Sequence, residues 1–254
     1  MTASQEPVGG RDVALVTGGS RGIGAAIVRQ CLREGLAVCF TWARDERSAR
    51  ELVEELGPYA DRLVAVHADV TDVTATRAAF DAAESLGRLT GLVNNAGTTG
   101  PIGRFADIVD EDVRRVVDVN LVAPVLLCRE AVRRWSADPA GRAIVNVSSV
   151  AATLGAPHEY VPYAAAKAGV ETLTVGLAKE LAPLGIRVNA VAPGTTDTGI
   201  HAAAGEPGRA ARVAPSIPMT RVGRPAEVAE AVTWLLSERS SYVTGAVVRV
   251  AGGL

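Results

Sequence analysis

The chain has 254 residues, of which 48% are hydrophobic and 21% are charged, and these values are typical of a soluble globular protein. A formal net charge of −2 and a pI of about 6.0 argue against nucleic-acid binding as the main function. Residues 1–11 are polar, so we expect no secretory signal. No apolar run approaches the roughly 20 residues of a membrane-spanning helix, so we expect no membrane partner and a cytoplasmic location.

Apolar, β-branched runs alternate with helical patterns along the chain. Residues 13–16 form a short apolar run directly before a glycine turn, as expected of a strand buried on both faces. Comparable runs predict strands at residues 37–42, 63–67, 92–93, 143–147, 188–191 and 247–250. Hydrophobic periodicity predicts helices over residues 23–33, 48–56, 109–135 and 163–181, with Pro124 as a candidate break. The alternation predicts an α/β fold, a doubly wound parallel sheet of about seven strands with helices on both faces.

Residues 195–218 are the one stretch without clear periodicity. They are rich in Ala, Gly and Pro, follow a predicted strand, and are long for a plain connection. We expect a lid over a binding site, and a tolerated surface insertion is the alternative. The rest of the chain shows no convincing linker or repeat, so residues 1–254 are predicted to form a single domain.

The three cysteines, Cys31, Cys39 and Cys128, are widely spaced and flanked by apolar residues. This setting predicts buried, unpaired thiols in a reducing compartment. Neither a CxxC pair nor a Cys/His pattern suggests zinc, so no metal site is predicted.

Three glycines, Gly18, Gly22 and Gly24, lie between the first predicted strand and the first predicted helix. Glycine permits a sharp reversal and lets the backbone approach a pyrophosphate closely. The helix that follows presents free N–H groups and a partial positive charge to such an anion. The spacing G-x-x-x-G-x-G departs from the commoner G-x-G-x-x-G fingerprint, so the turn alone leaves a purely structural role open.

Seven motifs stand in the order and at the separations of one known family. They are the turn of residues 17–24, Asp69-Val70, Asn94-Asn95-Ala96-Gly97, Asn120, Ser149, Tyr163-x-x-x-Lys167, and Pro193-Gly194 with Thr198. Over nearly its whole length the chain therefore resembles the short-chain dehydrogenase/reductase family. The resemblance implies a Rossmann-type, NAD(P)-binding domain and an oxidoreductase.

The resemblance also implies which residues form the site. The catalytic group would be Asn120, Ser149, Tyr163 and Lys167. Contacts to the cofactor would come from Gly18, Ser20, Arg21, Gly22, Ile23, Gly24, Asp69, Val70, Asn95, Ala96, Gly97, Tyr163, Lys167, Pro193, Gly194, Thr196 and Thr198. Ser148 and Tyr160 are rivals for two of these roles, but family register favours Ser149, and Tyr160 has no lysine four residues on.

Tyr163 and Lys167 project to the same side of a helix, because positions i and i+4 face the same way. A phenol has an ordinary pKa near 10, and a nearby ammonium should lower it toward neutral pH. Tyr163 would then act as general acid in carbonyl reduction and as general base in alcohol oxidation. Ser149 would hydrogen-bond the substrate oxygen. By the resemblance, Lys167 would also bond the nicotinamide ribose, and Asn120 would hold a water that connects Lys167 to solvent.

The end of the second predicted strand bears on the choice between NADP and NAD. An acidic residue there would bond the adenine ribose hydroxyls and repel a 2′-phosphate. This chain instead has Thr41-Trp42-Ala43-Arg44, with Arg21 as a second cation nearby. Both arginines can pair with a phosphate dianion, so Arg44 joins the predicted cofactor contacts. NADP is the predicted cofactor, with NAD the less favoured alternative.

The resemblance implies a substrate pocket built by residues after Ser149, around Asn95 to Gly100, and by the loop after Gly194. The candidates are mostly small or apolar: Thr99, Ala151, Leu154, His158, Thr195 and Ile200. No arginine is obviously placed for a substrate carboxylate, which favours a neutral carbonyl or secondary alcohol. A general carbonyl or sugar-type reductase is the favoured prediction, and a 3-oxoacyl-thioester reductase is the alternative.

Two further expectations concern assembly and rival functions. The helical patterns at residues 109–135 and 163–181 have wide apolar faces, which in the family pair across a two-fold axis, so a homotetramer is expected. A non-catalytic NADP sensor would be expected to lack Tyr163 or Lys167, and enoyl-thioester reductases usually space the two further apart. Both rivals are therefore less favoured.

Overall fold

The computed structural model describes residues 10–199 and 205–254. Seven strands form one sheet in the order β3-β2-β1-β4-β5-β6-β7, and every neighbouring pair is parallel. The strands are β1 (Asp12–Val16), β2 (Ala37–Trp42), β3 (Leu63–His67), β4 (Arg88–Asn94), β5 (Arg142–Val147), β6 (Ile186–Pro193) and β7 (Val247–Val250). The predicted Rossmann-type sheet is confirmed.

Helices cover both faces of the sheet in the described residues. They are α1 (Gly22–Arg33), α2 (Glu46–Glu55), α3 (Val73–Leu86), α4 (Asp110–Val117), α5 (Ala123–Arg134), α6 (Ala151–Leu154), α7 (Val161–Leu181), α8 (Arg209–Val213) and α9 (Pro225–Leu236). No helix in this part of the chain is long and apolar enough to cross a membrane.

Alternate residues of β1 show how the two faces are buried. Val13 and Leu15 pack in one apolar cluster with α3, α5 and α7, whereas Ala14 and Val16 pack in a second cluster with α1, α2 and α9. A strand covered on both faces needs apolar residues at every position, which explains its continuous apolar run. The three cysteines are buried and free, as predicted.

The predicted helix over residues 109–135 is interrupted. α4 ends at Val117, a π-helical turn covers Asp118–Val122, and α5 begins at Ala123. The break thus falls just before Pro124, whose ring cannot be accommodated in a regular helix interior but fits the first turn of α5. This turn is functionally relevant because it carries Asn120.

Four helices of the structure were not predicted, the short helices α6 and α8 and the longer helices α3 and α9. The two longer helices each have a polar side chain at one end. In α3 the Asp72 carboxylate caps the first turn by accepting from Thr74 N at 2.8 Å and Ala75 N at 3.1 Å. Carbonyls at the C-terminal end of α9 are hydrogen-bonded by a side chain from outside the helix. The Arg187 guanidinium donates to the carbonyls of Leu235 at 2.8 Å and Ser237 at 3.2 Å. Each helix is thus stabilised at its end by a polar side chain.

The strand order reverses at β1, where β2 lies on one side and β4 on the other. The connections after these strands leave the sheet in opposite directions, and the crevice between them at the carboxyl edge is the usual ligand site of such folds. The turn after β1 and the segments after β4, β5 and β6 all start from this edge.

Candidate active site

A cleft of about 690 Å³ lies at the carboxyl edge of the sheet. All predicted cofactor contacts line it, as do Ser149, Tyr163 and Lys167. Asn120 is fully buried behind the cleft wall. The fold therefore brings together residues that are up to 180 positions apart in the chain, from Gly18 to Thr198.

The glycine turn depends on backbone conformations and close backbone contacts that favour glycine. Gly18 and Gly22 have φ values of 63° and 55°, a region that favours glycine. A Cβ on Gly24 would lie 2.1 Å from the Gly18 carbonyl oxygen, so only glycine fits there. The Arg21 side chain, at the N-cap of α1, makes no capping hydrogen bond. The first turn of α1 therefore has no side-chain cap, which is compatible with an anion site at this helix N-terminus.

Asn95 connects the end of β4 to this turn. Its Nδ2 donates to the carbonyls of Thr17 at 2.9 Å and Gly18 at 3.0 Å. In return the Thr17 hydroxyl accepts from the N–H groups of Asn95 at 3.0 Å and Ala96 at 3.1 Å. The segment after β4 is therefore fixed against the glycine turn.

Two arginines lie near the end of β2. Arg44 is exposed at the cleft, and Arg21 Nη1 lies 3.7 Å from Asp45 Oδ2 with its side chain 60% exposed. Asp69, across the cleft, has one carboxylate oxygen fixed by Thr71 N at 3.0 Å and Thr71 Oγ1 at 2.7 Å. This end of the cleft offers exposed cations and one oriented carboxylate.

The segment after β6 closes the opposite side. A Cβ on Gly22 would lie 3.2 Å from Thr198 Cγ2, so Thr198 stands directly over the glycine turn. Thr196 Oγ1 donates to the Gly194 carbonyl at 3.1 Å, which holds the start of this segment in a tight turn. The predicted contacts Pro193, Gly194, Thr196 and Thr198 thus face the turn of residues 17–24 across the cleft.

Ser148 and Ser149 have different surroundings. Ser148 is buried, and its Oγ donates to Glu171 Oε1 at 2.8 Å. Ser149 Oγ accepts from Ala151 N at 3.1 Å and forms a hydrogen bond with Tyr163. This difference supports Ser149, rather than its neighbour, as the serine available to a ligand.

Lys167 and Asn120 are buried on the inner side of the cleft, near Tyr163. Lys167 Nζ donates to the Val147 carbonyl at 2.7 Å and lies 5.6 Å from the Tyr163 ring centroid. Asn120 Nδ2 donates to the carbonyls of Thr98 at 2.7 Å and Val116 at 2.8 Å. A Cβ on Gly97 would lie 2.9 Å from Asn120 Oδ1 and 3.7 Å from Lys167 Nζ, so the absent side chain leaves space between the two polar groups.

The predicted lowering of the Tyr163 pKa is wrong for this structure. Burial raises the pKa of Tyr163 to about 12, and its hydrogen bond with Ser149 offsets only part of this effect. Burial also lowers the pKa of Lys167 to about 8. The phenol is therefore protonated at neutral pH, whereas the lysine can exchange a proton near it.

The substrate side contains an arginine that the sequence reasoning missed. Arg209 of α8 lines the cleft, which corrects the expectation that no arginine stands there. It is 7% exposed and donates to Glu159 and to the Tyr160 hydroxyl. Its place could not be read from local pattern, because it reaches the site from the aperiodic segment after β6.

The predicted substrate residues are only partly brought together. Thr99, Ala151, Leu154 and Thr195 line the cleft, and His158 is not among its lining residues. Ile200 lies outside the described residues. Val213, Ser216, Ile217 and Leu254 line the cleft without having been predicted. Among the described residues, no group of three or more His, Cys, Asp or Glu side chains could hold a metal ion.

Comparison with known proteins agrees with this geometry. The family model described as Enoyl-(Acyl carrier protein) reductase matches residues 18–254. Uncharacterized oxidoreductase YgfF of Escherichia coli K12 is 44% identical over 244 residues, which are 95% of this chain and 99% of that protein. The 3beta-hydroxysteroid dehydrogenase 1 of Eggerthella lenta is 41% identical over 244 residues, 94% of this chain and 92% of that protein.

Among solved structures, the crystal structure of an actinorhodin polyketide ketoreductase variant with NADPH superimposes with a TM-score of 0.89 at 33% identity, covering 96% of this chain and 97% of that one. The chain belongs to the short-chain dehydrogenase/reductase family. It is an oxidoreductase of the class that uses a nicotinamide cofactor.

Proposed function

We propose that this protein is an NADP(H)-dependent oxidoreductase acting on a neutral carbonyl or secondary alcohol, as a general carbonyl or sugar-type reductase. The observation that carries the proposal is the position of Ser149, Tyr163 and Lys167 in one cleft with the glycine turn. A dinucleotide fits this cleft because glycine at position 24 lets α1 start tight against the turn, and because the first turn of α1 is left without a side-chain cap.

The bound nicotinamide would supply or accept the hydride, and side chains of the protein would donate or accept the proton. Tyr163 acts as general acid toward the carbonyl oxygen, and its raised pKa keeps it protonated for this purpose at neutral pH. Ser149, hydrogen-bonded to Tyr163, donates to the same oxygen as negative charge develops there. Both groups start from rigid elements, the end of β5 and the first turn of α7.

Lys167 has a pKa of about 8, so it can return a proton toward Tyr163 near neutral pH. Its positive charge also favours the phenolate that forms when Tyr163 gives up its proton. Asn120 fixes the backbone at Thr98 and Val116 next to this ammonium. We assign Asn120 a positioning role in the π-helical turn, with its Oδ1 facing the space above Gly97.

Arg44 and Arg21 support NADP over NAD. Both are exposed at the end of β2, where a 2′-phosphate would meet two cations and where Asp45 is held by its cap of α2. Asp45 accepts from Ser48 N at 3.0 Å and Ser48 Oγ at 2.8 Å, so its carboxylate is engaged in capping α2. Charge-assisted pairing with arginine is the usual means of recognising phosphate.

The pairing of Arg209 supports a neutral substrate. Its charge is matched by Glu159, so the wall presents no uncompensated cation to a carboxylate. A hydroxysteroid dehydrogenase among the relatives is named for a neutral alcohol. A 3-oxoacyl-thioester reductase stays the alternative, favoured by the likeness to a polyketide ketoreductase. An enoyl reductase, the activity in the family description, is disfavoured by the spacing of Tyr163 and Lys167.

We also infer a homotetramer built on the outer faces of α4, α5 and α7. Val109 at the N-cap of α4, Val122 in the π-helical turn and Val125 in α5 expose 59%, 41% and 38% of their surface, and pairing of these faces would cover them. Light scattering at micromolar concentration tests this inference. A mass near that of one 26.2 kDa chain would contradict it.

The decisive experiment follows the absorbance change of NADPH oxidation with diketones, aldehydes, ketones, keto-sugars and 3-oxoacyl thioesters. We expect turnover with neutral carbonyls, higher kcat/KM with NADPH than with NADH, and loss of this preference in Arg44→Gln. Arg50→Gln, an exposed arginine on α2 paired with Glu46, is the matched control. Equal or better use of NADH by the wild type would refute the cofactor assignment, and higher kcat/KM for the thioesters would establish the alternative substrate class.

A further inference from the structure

We infer that Arg209 is a positioning residue for Tyr163: it reaches from the segment after β6 into the substrate side and holds Tyr160 edge-on against the catalytic tyrosine. This inference rests on the proposed function. It links the described part of the predicted lid, residues 205–218, to the geometry of the proton donor.

Arg209 is anchored on Tyr160. Its side chain is 9% exposed, Nη2 donates to the Tyr160 hydroxyl at 2.8 Å, and Cζ lies 5.2 Å from the Tyr160 ring centroid. One guanidinium thus contacts both the hydroxyl and the ring of a single tyrosine. A long side chain from α8 is immobilised by these contacts, although α8 itself has only five residues.

Tyr160 in turn packs on Tyr163. The ring centroids are 5.5 Å apart with an interplanar angle of 88°, an edge-to-face contact. Both rings are 8% exposed and share an apolar cluster with Val116, Ala151 and Ala164. Because Tyr160 is the N-cap of α7 and Tyr163 lies in its first turn, displacement of the Tyr160 ring would remove the packing surface of Tyr163.

The charge of the buried arginine is balanced by Glu159, which lies just before Tyr160. Glu159 accepts from Arg209 and, at 3.1 Å, from Arg212 Nη2. Arg212 also donates to Glu206 Oε2 at 2.9 Å. Two carboxylates and two guanidiniums therefore form one network, which offsets the cost of holding a cation beside the apolar tyrosines.

Through these contacts, the position of Tyr163 depends on how residues 205–216 pack against Tyr160. A substrate that fits between α8 and the nicotinamide side would find the proton donor already oriented. Loss of the Arg209 contact should then misplace Tyr163 while the glycine turn, at the other end of the cleft, stays intact. The expected signature is a fall in kcat with little change in NADPH affinity.

The test compares Arg209→Met, Tyr160→Phe and the double variant with Arg50→Met, which removes an exposed ion pair on α2. We expect each single variant to lower kcat by about 10- to 100-fold, since small misplacements have effects of that size. The Kd for NADPH should stay within about twofold of the wild-type value. The kcat of the double variant should equal that of the less active single variant, because both changes break the same contact between Arg209 and Tyr160. Additive losses, or kcat near the wild-type value in Arg209→Met, would overturn the inference.

A second readout needs no turnover. Hydrogen exchange of the backbone amides of residues 158–161 and 163 should be faster in Arg209→Met than in the wild type and unchanged in Arg50→Met. Unchanged exchange there in Arg209→Met would refute the positioning role on its own. If the wild type turns over no carbonyl while exchange responds as expected, the proposed function fails and the link between Arg209 and Tyr163 stands.

Discussion

Replacing Gly24 by Ala tests the phosphate-binding turn most sharply. The new Cβ would lie 2.1 Å from the Gly18 carbonyl oxygen and 2.6 Å from Asn95 Nδ2. Non-bonded heavy atoms are at their energy minimum about 3.5–4.0 Å apart, so turn and helix must separate by about 1 Å or more. The methyl group also intrudes on the hydrogen bond from Asn95 Nδ2 to the Gly18 carbonyl.

The cost has two parts. Overpacking costs about 1–3 kcal/mol, and the disturbed hydrogen bond costs about 1 kcal/mol more. For a chain of this size each kcal/mol lowers Tm by about 2–4 °C, so we expect a fall of roughly 4–16 °C. Loss of one charge-assisted bond to a phosphate, about 1.5–3 kcal/mol, would weaken NADPH binding by about 10- to 100-fold.

The assays are thermal unfolding and NADPH titration by fluorescence. Gly57→Ala is the control, because no atom lies within 4 Å of its added Cβ. There we expect unchanged NADPH affinity and stability that is equal or higher by about 0.4–1 kcal/mol. Wild-type NADPH affinity in Gly24→Ala would refute the assignment of this turn as the pyrophosphate site.

Three further predictions concern other parts of the molecule. In the ligand-free protein Tyr163 should stay un-ionised up to about pH 10, because burial raises its pKa to about 12. A tyrosinate difference spectrum of the wild type against Tyr163→Phe should therefore show no ionisation step near neutral pH, and such a step would contradict the raised pKa. Arg187→Met should destabilise the protein by about 2 kcal/mol, since it leaves carbonyls at the end of α9 without their donor, and an unchanged Tm would count against this role. Glu159→Gln should leave the Arg209 charge without its carboxylate partner. The kcat/KM for a carboxylated ketone, relative to that for its neutral analogue, should then rise by about tenfold, because the substrate carboxylate can pair with the arginine. An unchanged ratio would show that Glu159 does not set selectivity.

The sheet could be predicted because burial on both faces leaves a local trace. A strand covered by helices on either side must be apolar at consecutive positions, so the runs at residues 37–42 and 63–67 match β2 and β3 in full. The glycine turn also left a local trace in the sequence, since its glycine spacing follows from the close approach of backbone segments. The lining of the cleft by the predicted cofactor contacts is consistent with that reasoning.

What could not be predicted depends on contacts between distant segments. α3 and α9 are held by end caps and by packing on the sheet, and their sequences are less marked than the strand runs. The raised pKa of Tyr163 results from burial, and the i, i+4 spacing to Lys167 contains no information on that burial. Arg209 enters the site from an aperiodic segment, 49 residues after Tyr160, so no pattern joins the two.

The central claim is that Tyr163 transfers the proton in a reaction in which NADPH transfers the hydride. The most direct measurement is single-turnover NADPH oxidation by Tyr163→Phe, with NADPH affinity measured on the same sample. The account predicts NADPH binding within about twofold of the wild type and a rate lower by about 100-fold or more, the range for loss of a general acid. Wild-type oxidation of NADPH by this variant would contradict the account.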